Sequence, residues 1–238
     1  MKQFMIKLLV VCIGIGVGMY ISSKINLLND VVNDYASKNG TYVETSDGID
    51  SENYINDLVL VNYYYDGFEI DLRYATKNNI TKKVLYEEDL MYLQKSTLDK
   101  LIQVNEELRA KGFKLKIWDA YRPLNVQKKL WAAYPNANFI ANPFTTGSNH
   151  NRGTAVDVTL VDMRNNEVDM PTGFDGFGAK SRRGGNWSSK ERENVGLLTD
   201  TMVKHGFTFI DSEWWHFDDE DAKKYPIMDY KFRDLIKK

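Results

Sequence analysis

The sequence is poor in the residues that build thiolate sites and nucleic-acid interfaces. It contains a single cysteine, Cys12, so it can form neither an intramolecular disulfide nor a zinc site based on thiolates. It has no basic excess, because 31 Lys and Arg stand against 33 Asp and Glu, and a partner with a phosphate backbone is therefore not expected. Only three histidines are present, His150, His205 and His216. Any metal site must combine histidine with carboxylates.

One long apolar run stands apart from the rest of the chain, at residues 8–21 with the sequence LLVVCIGIGVGMYI. Lys2 and Lys7 precede this run and Lys24 follows it, an arrangement typical of an export or anchoring segment with its N-terminus in the cytoplasm. We expect residues 1–24 to be an uncleaved, single-pass membrane anchor that places the rest of the chain outside the cytoplasm. Cleavage of a signal peptide followed by secretion is the alternative.

The remaining chain divides into a polar linker and one globular domain. Residues 25–55 are rich in Asn, Asp, Ser and Gly and have no sustained hydrophobic period, which is typical of a tether. Residues 56–238 are long enough to bury one core, and the composition, 43% hydrophobic and 13% aromatic, fits a packed domain. We therefore expect a single domain at 56–238.

The first half of this domain shows two strands and two helices. Residues 58–65, rich in β-branched and aromatic side chains, predict a strand. Ser96 is a candidate cap for an amphipathic helix that ends at Gly112. In residues 114–121 polar and apolar side chains alternate, as in a half-buried strand. Pro123 fits the first position of a following helix that runs through Tyr134.

The second half shows strands around one further helix. Residues 154–161 predict a strand, and the segments FTFID and EWWHF also have strand-like composition. Ser188 and Glu191 form a candidate capping box for a helix that ends at His205 and Gly206, where an imidazolium would suit the helix dipole. Strands and helices do not alternate regularly, so the pattern favours an α+β fold with a mainly antiparallel sheet flanked by helices.

Two short motifs contain residues suited to a hydrolytic metal site. SNHNRGTAVD places His150 seven residues before Asp157, and EWWH places Glu213 three residues before His216. Two imidazoles and one carboxylate leave a fourth zinc position open, and Glu213 could then act as the base. A regular strand would put Glu213 and His216 on opposite faces, so this hypothesis requires a turn between them. Taken singly, each residue would more often be structural.

With these residues in view, the chain resembles the zinc D-Ala-D-Ala peptidases, in particular the D-alanyl-D-alanine dipeptidases of the vancomycin-resistance type. The segments DLRYATKNN, WDAYRP, SNHNRGTAVDVTL, FDGF and EWWHF occur in the family's order between about residues 60 and 230. The resemblance implies the hedgehog-like fold of that family and one zinc ion per chain. It also implies ligands at His150, Asp157 and His216, and a catalytic base at Glu213.

The resemblance implies four further roles. Arg122 would stabilise the developing oxyanion, Asp175 would bind the substrate's ammonium group, and Tyr74 and Ser148 would line the pocket. Each residue also has a structural interpretation: an ion pair for Arg122, a turn cap for Asp175, core packing for Tyr74 and a loop hydroxyl for Ser148. Trp214 and Trp215 are expected to form a cavity wall. Asn149 departs from the small residue common before the first ligand.

The function implied is zinc-dependent hydrolysis of the D-alanyl-D-alanine dipeptide to two D-alanines, in cell-wall peptide metabolism. A D,D-carboxypeptidase that trims peptidoglycan stem peptides is the first alternative, and it would need an open cleft without an ammonium-binding acid. A zinc-containing cell-wall binding module without catalysis is the second. The presence of both Glu213 and Arg122 favours an enzyme over a non-catalytic module.

Overall fold

The computed structural model describes residues 57–235, which form an α+β domain as the sequence predicts. The expected membrane segment at 1–24 and the tether at 25–55 lie outside these residues and remain predictions. Among the described residues, no helix combines the length and apolar character needed to cross a bilayer. The described part contains the following strands and helices: β1 Leu58–Leu60, α1 Val61–Tyr64, β2 Glu69–Ile70, β3 Tyr92–Gln94, α2 Lys95–Ala110, β4 Phe113–Asp119, α3 Leu124–Ala133, β5 Ala155–Asp162, α4 Ser189–Lys204, β6 Phe207–Phe209, β7 His216–Asp219 and α5 Phe232–Leu235.

The main sheet has five strands in the order β2-β4-β5-β7-β6. Only the short β2 pairs in parallel, with β4, and the other three pairings are antiparallel. Strands β1 and β3 form a separate antiparallel pair. The mainly antiparallel sheet expected from the irregular order of elements is therefore confirmed.

Helices α2 and α4 cover one face of the sheet and bury its apolar side chains. Leu98, Leu101 and Leu108 of α2 are fully buried on one face of the helix, three and seven residues apart as the sequence pattern predicts. They share a core with Val158 and Leu160, which point to the same face of β5 because side chains alternate along a strand. The opposite face of β5, with Asp157, is therefore directed away from these helices.

The boundaries of two elements differ from the sequence prediction. The predicted strand 58–65 contains only β1, since the chain leaves the pairing with β3 and makes the single helical turn α1. Ser96 does not cap α2, because Gln94 holds the cap position and the Ser96 hydroxyl shares a hydrogen bond with Tyr225.

The other helix boundaries follow the sequence closely. The Ser188–Glu191 capping box of α4 is present, and α4 gives way to His205 and Gly206 as predicted. Helix α3 begins one residue after Pro123, which occupies the cap position, and ends one residue before Tyr134.

Candidate metal centre

Strand register places three polar side chains in one row across the sheet. Asp119 of β4 lies opposite Asp157 of β5, which in turn lies opposite His216 of β7. The first pairing depends on a β-bulge between Ile117 and Asp119. In a regular strand Asp119 would share the helix-covered face with Ile117, whereas the extra residue, Trp118, turns Asp119 toward Asp157.

His150 reaches this row from a tight turn that precedes β5. A 3-10 turn spans Asn149–Arg152 and is capped at its start by Ser148, whose side chain accepts the His150 amide. Gly153 ends the turn with φ of 71° in the left-handed region, and a Cβ there would lie 2.4 Å from Leu58. The bend that sequence reasoning required at Gly153 is therefore present.

The four motif residues divide into a compact donor group and one neighbouring carboxylate. His150, Asp157 and His216 are buried and offer donor atoms that lie within 4.8 Å of one another. His150 Nε2 is 3.2 Å from His216 Nδ1 and 3.3 Å from an Asp157 oxygen. Two nitrogens and one carboxylate oxygen are a donor set that zinc accepts while one position stays open, so these residues fit the metal that the family resemblance implies.

In both imidazoles, the ring nitrogen that does not face the donor group has a hydrogen-bond partner elsewhere. His150 Nδ1 lies 2.7 Å from the Ala120 carbonyl oxygen, and His216 Nε2 lies 3.0 Å from an Asp218 carboxylate oxygen. Each ring can therefore donate one N–H to a fixed acceptor while the other nitrogen points its lone pair into the group.

Glu213 occupies the turn just before β7, so the predicted break between Glu213 and His216 is confirmed. Of the strand-like segment EWWHF only His216 and Phe217 belong to a strand, because β7 starts at His216. Two neighbours hold this turn: the Trp214 amide donates to the Ser181 carbonyl, and the Arg183 guanidinium donates to the Trp214 carbonyl. These bonds fix the backbone of the turn next to Glu213.

Burial determines the acidity of Glu213. The side chain is only 7% exposed, and its removal from water raises its pKa to about 8, while the electrostatic effect of the neighbouring His216 acts in the opposite direction. A proton acceptor that works near neutral pH needs a pKa in this region. A divalent cation in the donor group would shift the pKa of Glu213 back toward the ionised form.

Arg122 is held rigidly at the edge of the donor group. Its Nε donates to Asp119 over 2.8 Å, and its Nη1 donates to Gln127 over 2.8 Å. Its Nη2 also bonds Asp119 and lies 3.5 Å from an Asp157 oxygen, and the guanidinium stacks on the Tyr74 ring at 4.9 Å. The structural interpretation, an ion pair at the end of a strand, is therefore correct, and it coexists with a place in the cavity wall.

A cavity of about 750 Å³ contains the donor group and the other predicted site residues. Glu213, Asp175, Tyr74 and Ser148 all line it. Asp175 accepts hydrogen bonds from the Tyr74 hydroxyl at 3.2 Å and from the Ile80 amide at 2.9 Å. Desolvation raises the pKa of Asp175 to about 6 despite these bonds. Its φ of 56° is rare for a residue other than glycine.

Trp214 and Trp215 do not line this cavity, so their expected role as its wall is wrong. Both are fully buried and pack edge to face on each other at 5.6 Å between ring centroids. His205 does not line this cavity and pairs with Glu107 at 2.9 Å at the end of α4, which agrees with a structural role.

The sequence analysis did not single out Asp119 and Asp218. Asp119 joins Arg122 to the row of polar residues and also accepts a hydrogen bond from the buried Tyr86 hydroxyl. Asp218 contacts His216. The spacing of two between His216 and Asp218 was the one available signal for Asp218, because side chains two apart share a face wherever a strand continues past His216.

The raised pKa of Glu213 predicts how stability depends on pH in the metal-free protein. The folded-state value of about 8 exceeds the ordinary value of 4.5, so the folded state holds a proton that the unfolded state releases between these pH values. The contribution of Glu213 to stability is thus full below pH 4.5 and is lost as the pH rises toward 8. Since one pKa unit corresponds to about 1.4 kcal/mol, we expect a loss of about 1–4 kcal/mol over this window.

Replacement of Glu213 by Gln should remove this loss. Urea unfolding of chelator-treated protein at pH 5 and pH 8 should show a smaller decrease in the free energy of unfolding for Glu213→Gln than for the unaltered chain. Glu193→Gln, at an exposed position of α4, is the control and should leave the decrease unchanged. Equal decreases in all three proteins would contradict the assigned burial effect.

The family model Peptidase_M15, described as D-Ala-D-Ala dipeptidase, matches residues 55–238. A D-alanyl-D-alanine dipeptidase of Escherichia coli K12 is 37% identical over 181 residues, which cover 76% of this chain and 93% of that protein. Proteins of the same description from Enterococcus faecium and Enterococcus faecalis are 29% and 28% identical, over 70% and 74% of this chain and 92% and 98% of their own lengths.

The extent of these matches decides the family. The family model spans the whole described domain. The match to the E. coli relative covers 93% of that protein at 37% identity. The chain therefore belongs to the D-Ala-D-Ala dipeptidase family of M15 peptidases and is a zinc metallopeptidase.

Proposed function

We propose that this protein hydrolyses the free dipeptide D-alanyl-D-alanine to two D-alanines and thereby takes part in cell-wall peptide metabolism. The relatives that match over most of their length all carry the name of this activity. The observation that carries the proposal is the position of Asp175, a carboxylate on the wall of the same cavity as the His–Asp–His group. A free dipeptide has an ammonium group that needs such a partner, whereas the stem of peptidoglycan does not.

We assign the metal to His150, Asp157 and His216. Zinc held by these residues would supply a Lewis acid that polarises a peptide carbonyl and makes water acidic near pH 7. Glu213 is assigned as the general base: its carboxylate accepts a proton from the water that attacks the peptide carbon. It then passes this proton to the amine that leaves as the carbon–nitrogen bond breaks.

Arg122 is assigned as the donor to the developing oxyanion. Its contacts with Asp119, Gln127 and Asp157 account for four of its five N–H groups and leave one Nη1 hydrogen without a partner among the described residues. A guanidinium fixed in this way needs no reorganisation when negative charge develops on the substrate oxygen.

Asp175 is assigned to the ammonium group, with Tyr74 holding the carboxylate in place. The Tyr74 hydroxyl and the Ile80 amide both bond Asp175, so its orientation is set before substrate binds. The pKa of Asp175 is raised to about 6 because burial penalises the charged carboxylate more than the Ile80 amide and Arg122 stabilise it. An ammonium group beside Asp175 would offset this penalty. Ser148 lines the same cavity and is assigned to the substrate's carboxylate through its hydroxyl hydrogen, since its backbone N–H donates to Asn151.

The proposal predicts that Asp175→Asn acts selectively on substrates with a free amino end. Truncating one partner of a buried, hydrogen-bonded charge pair costs about 2–5 kcal/mol, which corresponds to at least a thirtyfold rise in KM for D-Ala-D-Ala. N-acylated dipeptides never use this contact, so their slow hydrolysis should change little. Steady-state kinetics with both substrates measures the difference, and Asp200→Asn, at an exposed position of α4, is the control.

The same measurements on the unaltered protein separate the proposal from its alternatives. A dipeptidase should hydrolyse D-Ala-D-Ala much faster than an N-acylated pentapeptide that ends in D-Ala-D-Ala. The reverse order would indicate a D,D-carboxypeptidase, and no turnover of either substrate by the zinc-loaded protein would indicate a binding module. If Asp175→Asn weakens both substrate classes equally, Asp175 is structural.

A further inference from the structure

The two ring nitrogens of His216 have different surroundings. Nδ1 faces the donor group, at 3.0 Å from an Asp157 oxygen and 3.2 Å from His150 Nε2. Nε2 faces the other way and lies 3.0 Å from an oxygen of Asp218. A neutral imidazole carries one N–H and one lone pair, and a metal ligand must direct the lone pair at the metal. The geometry therefore requires the proton on Nε2, where Asp218 can accept it.

The strand brings Asp218 to this position. Side chains two apart on a strand share a face, so Asp218 follows His216 on the cavity side of β7 while Phe217 between them is buried in the core. Asn149, which immediately precedes His150, lines the same cavity wall as Asp218. Asp218 thus lies between the strand that carries one imidazole and the turn that carries the other.

His150 contributes Nε2 to the donor group, whereas His216 contributes Nδ1. The N–H on the remaining nitrogen of each ring has a different acceptor. For His150 the acceptor is the backbone carbonyl of Ala120, 2.7 Å from Nδ1, so no side-chain replacement can remove it. For His216 the acceptor is a side chain. Without that acceptor, His216 could place its proton on Nδ1, and an N–H would then point into the donor group.

We propose that Asp218 is a positioning residue for the metal: it holds His216 in the form protonated at Nε2 and so raises the affinity of the site for zinc. The inference rests on the zinc site assigned under the proposed function, and it adds a residue outside the ligand set. Acceptors of this kind orient ligand imidazoles, and their loss typically weakens metal binding about 10- to 100-fold.

Zinc affinity in the absence of substrate tests this role. Competition with a chromophoric chelator should show zinc binding to Asp218→Ala about 10- to 100-fold weaker than to the unaltered protein. Asp218→Asn keeps an oxygen that can accept the N–H, so its affinity should lie between those two values. Asp221→Asn is the matched control, because Asp221 follows the same strand but bonds Lys100 and Lys224, and it should bind zinc normally. A folded Asp218→Ala protein with unchanged affinity would overturn the proposal.

Which ring nitrogen of His216 carries the proton can be measured on the unaltered protein. Long-range ¹H–¹⁵N correlation spectra of the zinc-loaded protein should show His216 protonated at Nε2 and His150 protonated at Nδ1. A His216 ring protonated at Nδ1 would overturn the proposal even if Asp218→Ala fails to fold. Failure of the proposed function has a different signature, namely tight, Asp218-dependent zinc binding together with no hydrolysis of D-Ala-D-Ala.

Discussion

Replacement of Glu213 by Gln is expected to leave one zinc ion per chain and to lower kcat for D-Ala-D-Ala by about 10²- to 10⁴-fold, the usual contribution of a general base. The side chain lies outside the His–Asp–His group, in the turn before β7, so it can be changed without removing a ligand. Gln has nearly the same shape as Glu but cannot accept a proton at neutral pH. Binding of substrate should therefore survive while the chemical step fails.

Zinc content and turnover have to be measured on the same preparations. His150→Ala and His216→Ala are the comparison, because each removes one of three buried donors and should lower zinc content as well as activity. The separation between the two classes of variant is the informative result. Equal loss of zinc in Glu213→Gln and in the histidine variants would place Glu213 among the ligands and overturn its assignment as the base.

Local sequence signals predicted those elements whose ends depend on a few neighbouring residues. The capping box of Ser188 and Glu191 and the glycine after His205 each act within one helical turn, so the ends of α4 were readable. The strand predicted at 58–65 failed for the complementary reason. Its composition favours extended structure, yet only the segment that pairs with β3 remains a strand.

The ligands could be chosen from their motifs, but their arrangement depends on long-range register. The residues of the segment KLKIWD do not indicate the bulge that turns Asp119 toward Asp157, because a bulge is a property of the pairing between β4 and β5. The fixed orientation of Arg122 follows from that same bulge. Sequence reasoning therefore named Arg122 and missed the carboxylate that holds it.

Replacement of Arg122 by Lys is expected to be nearly as damaging as loss of the base, although positive charge is retained. The guanidinium makes bonds in three directions, to Asp119, Gln127 and the edge of Asp157, and keeps one hydrogen for the substrate. An ammonium group is a point charge on a flexible chain and cannot reproduce that planar set. Loss of one oxyanion donor typically lowers kcat about 10²- to 10³-fold, and we expect a decrease of that size.

The effect of Arg122→Lys should fall on kcat rather than on KM, because the contact strengthens as charge develops on the substrate oxygen. Zinc content must be measured too, since Arg122 lies 3.5 Å from an Asp157 oxygen and could influence the donor group indirectly. Arg182→Lys, at an exposed position, is the control for replacing Arg by Lys and should leave kcat, KM and zinc content unchanged. An Arg122→Lys enzyme with full zinc and a kcat within tenfold of the unaltered protein would show that Arg122 serves only as the partner of Asp119.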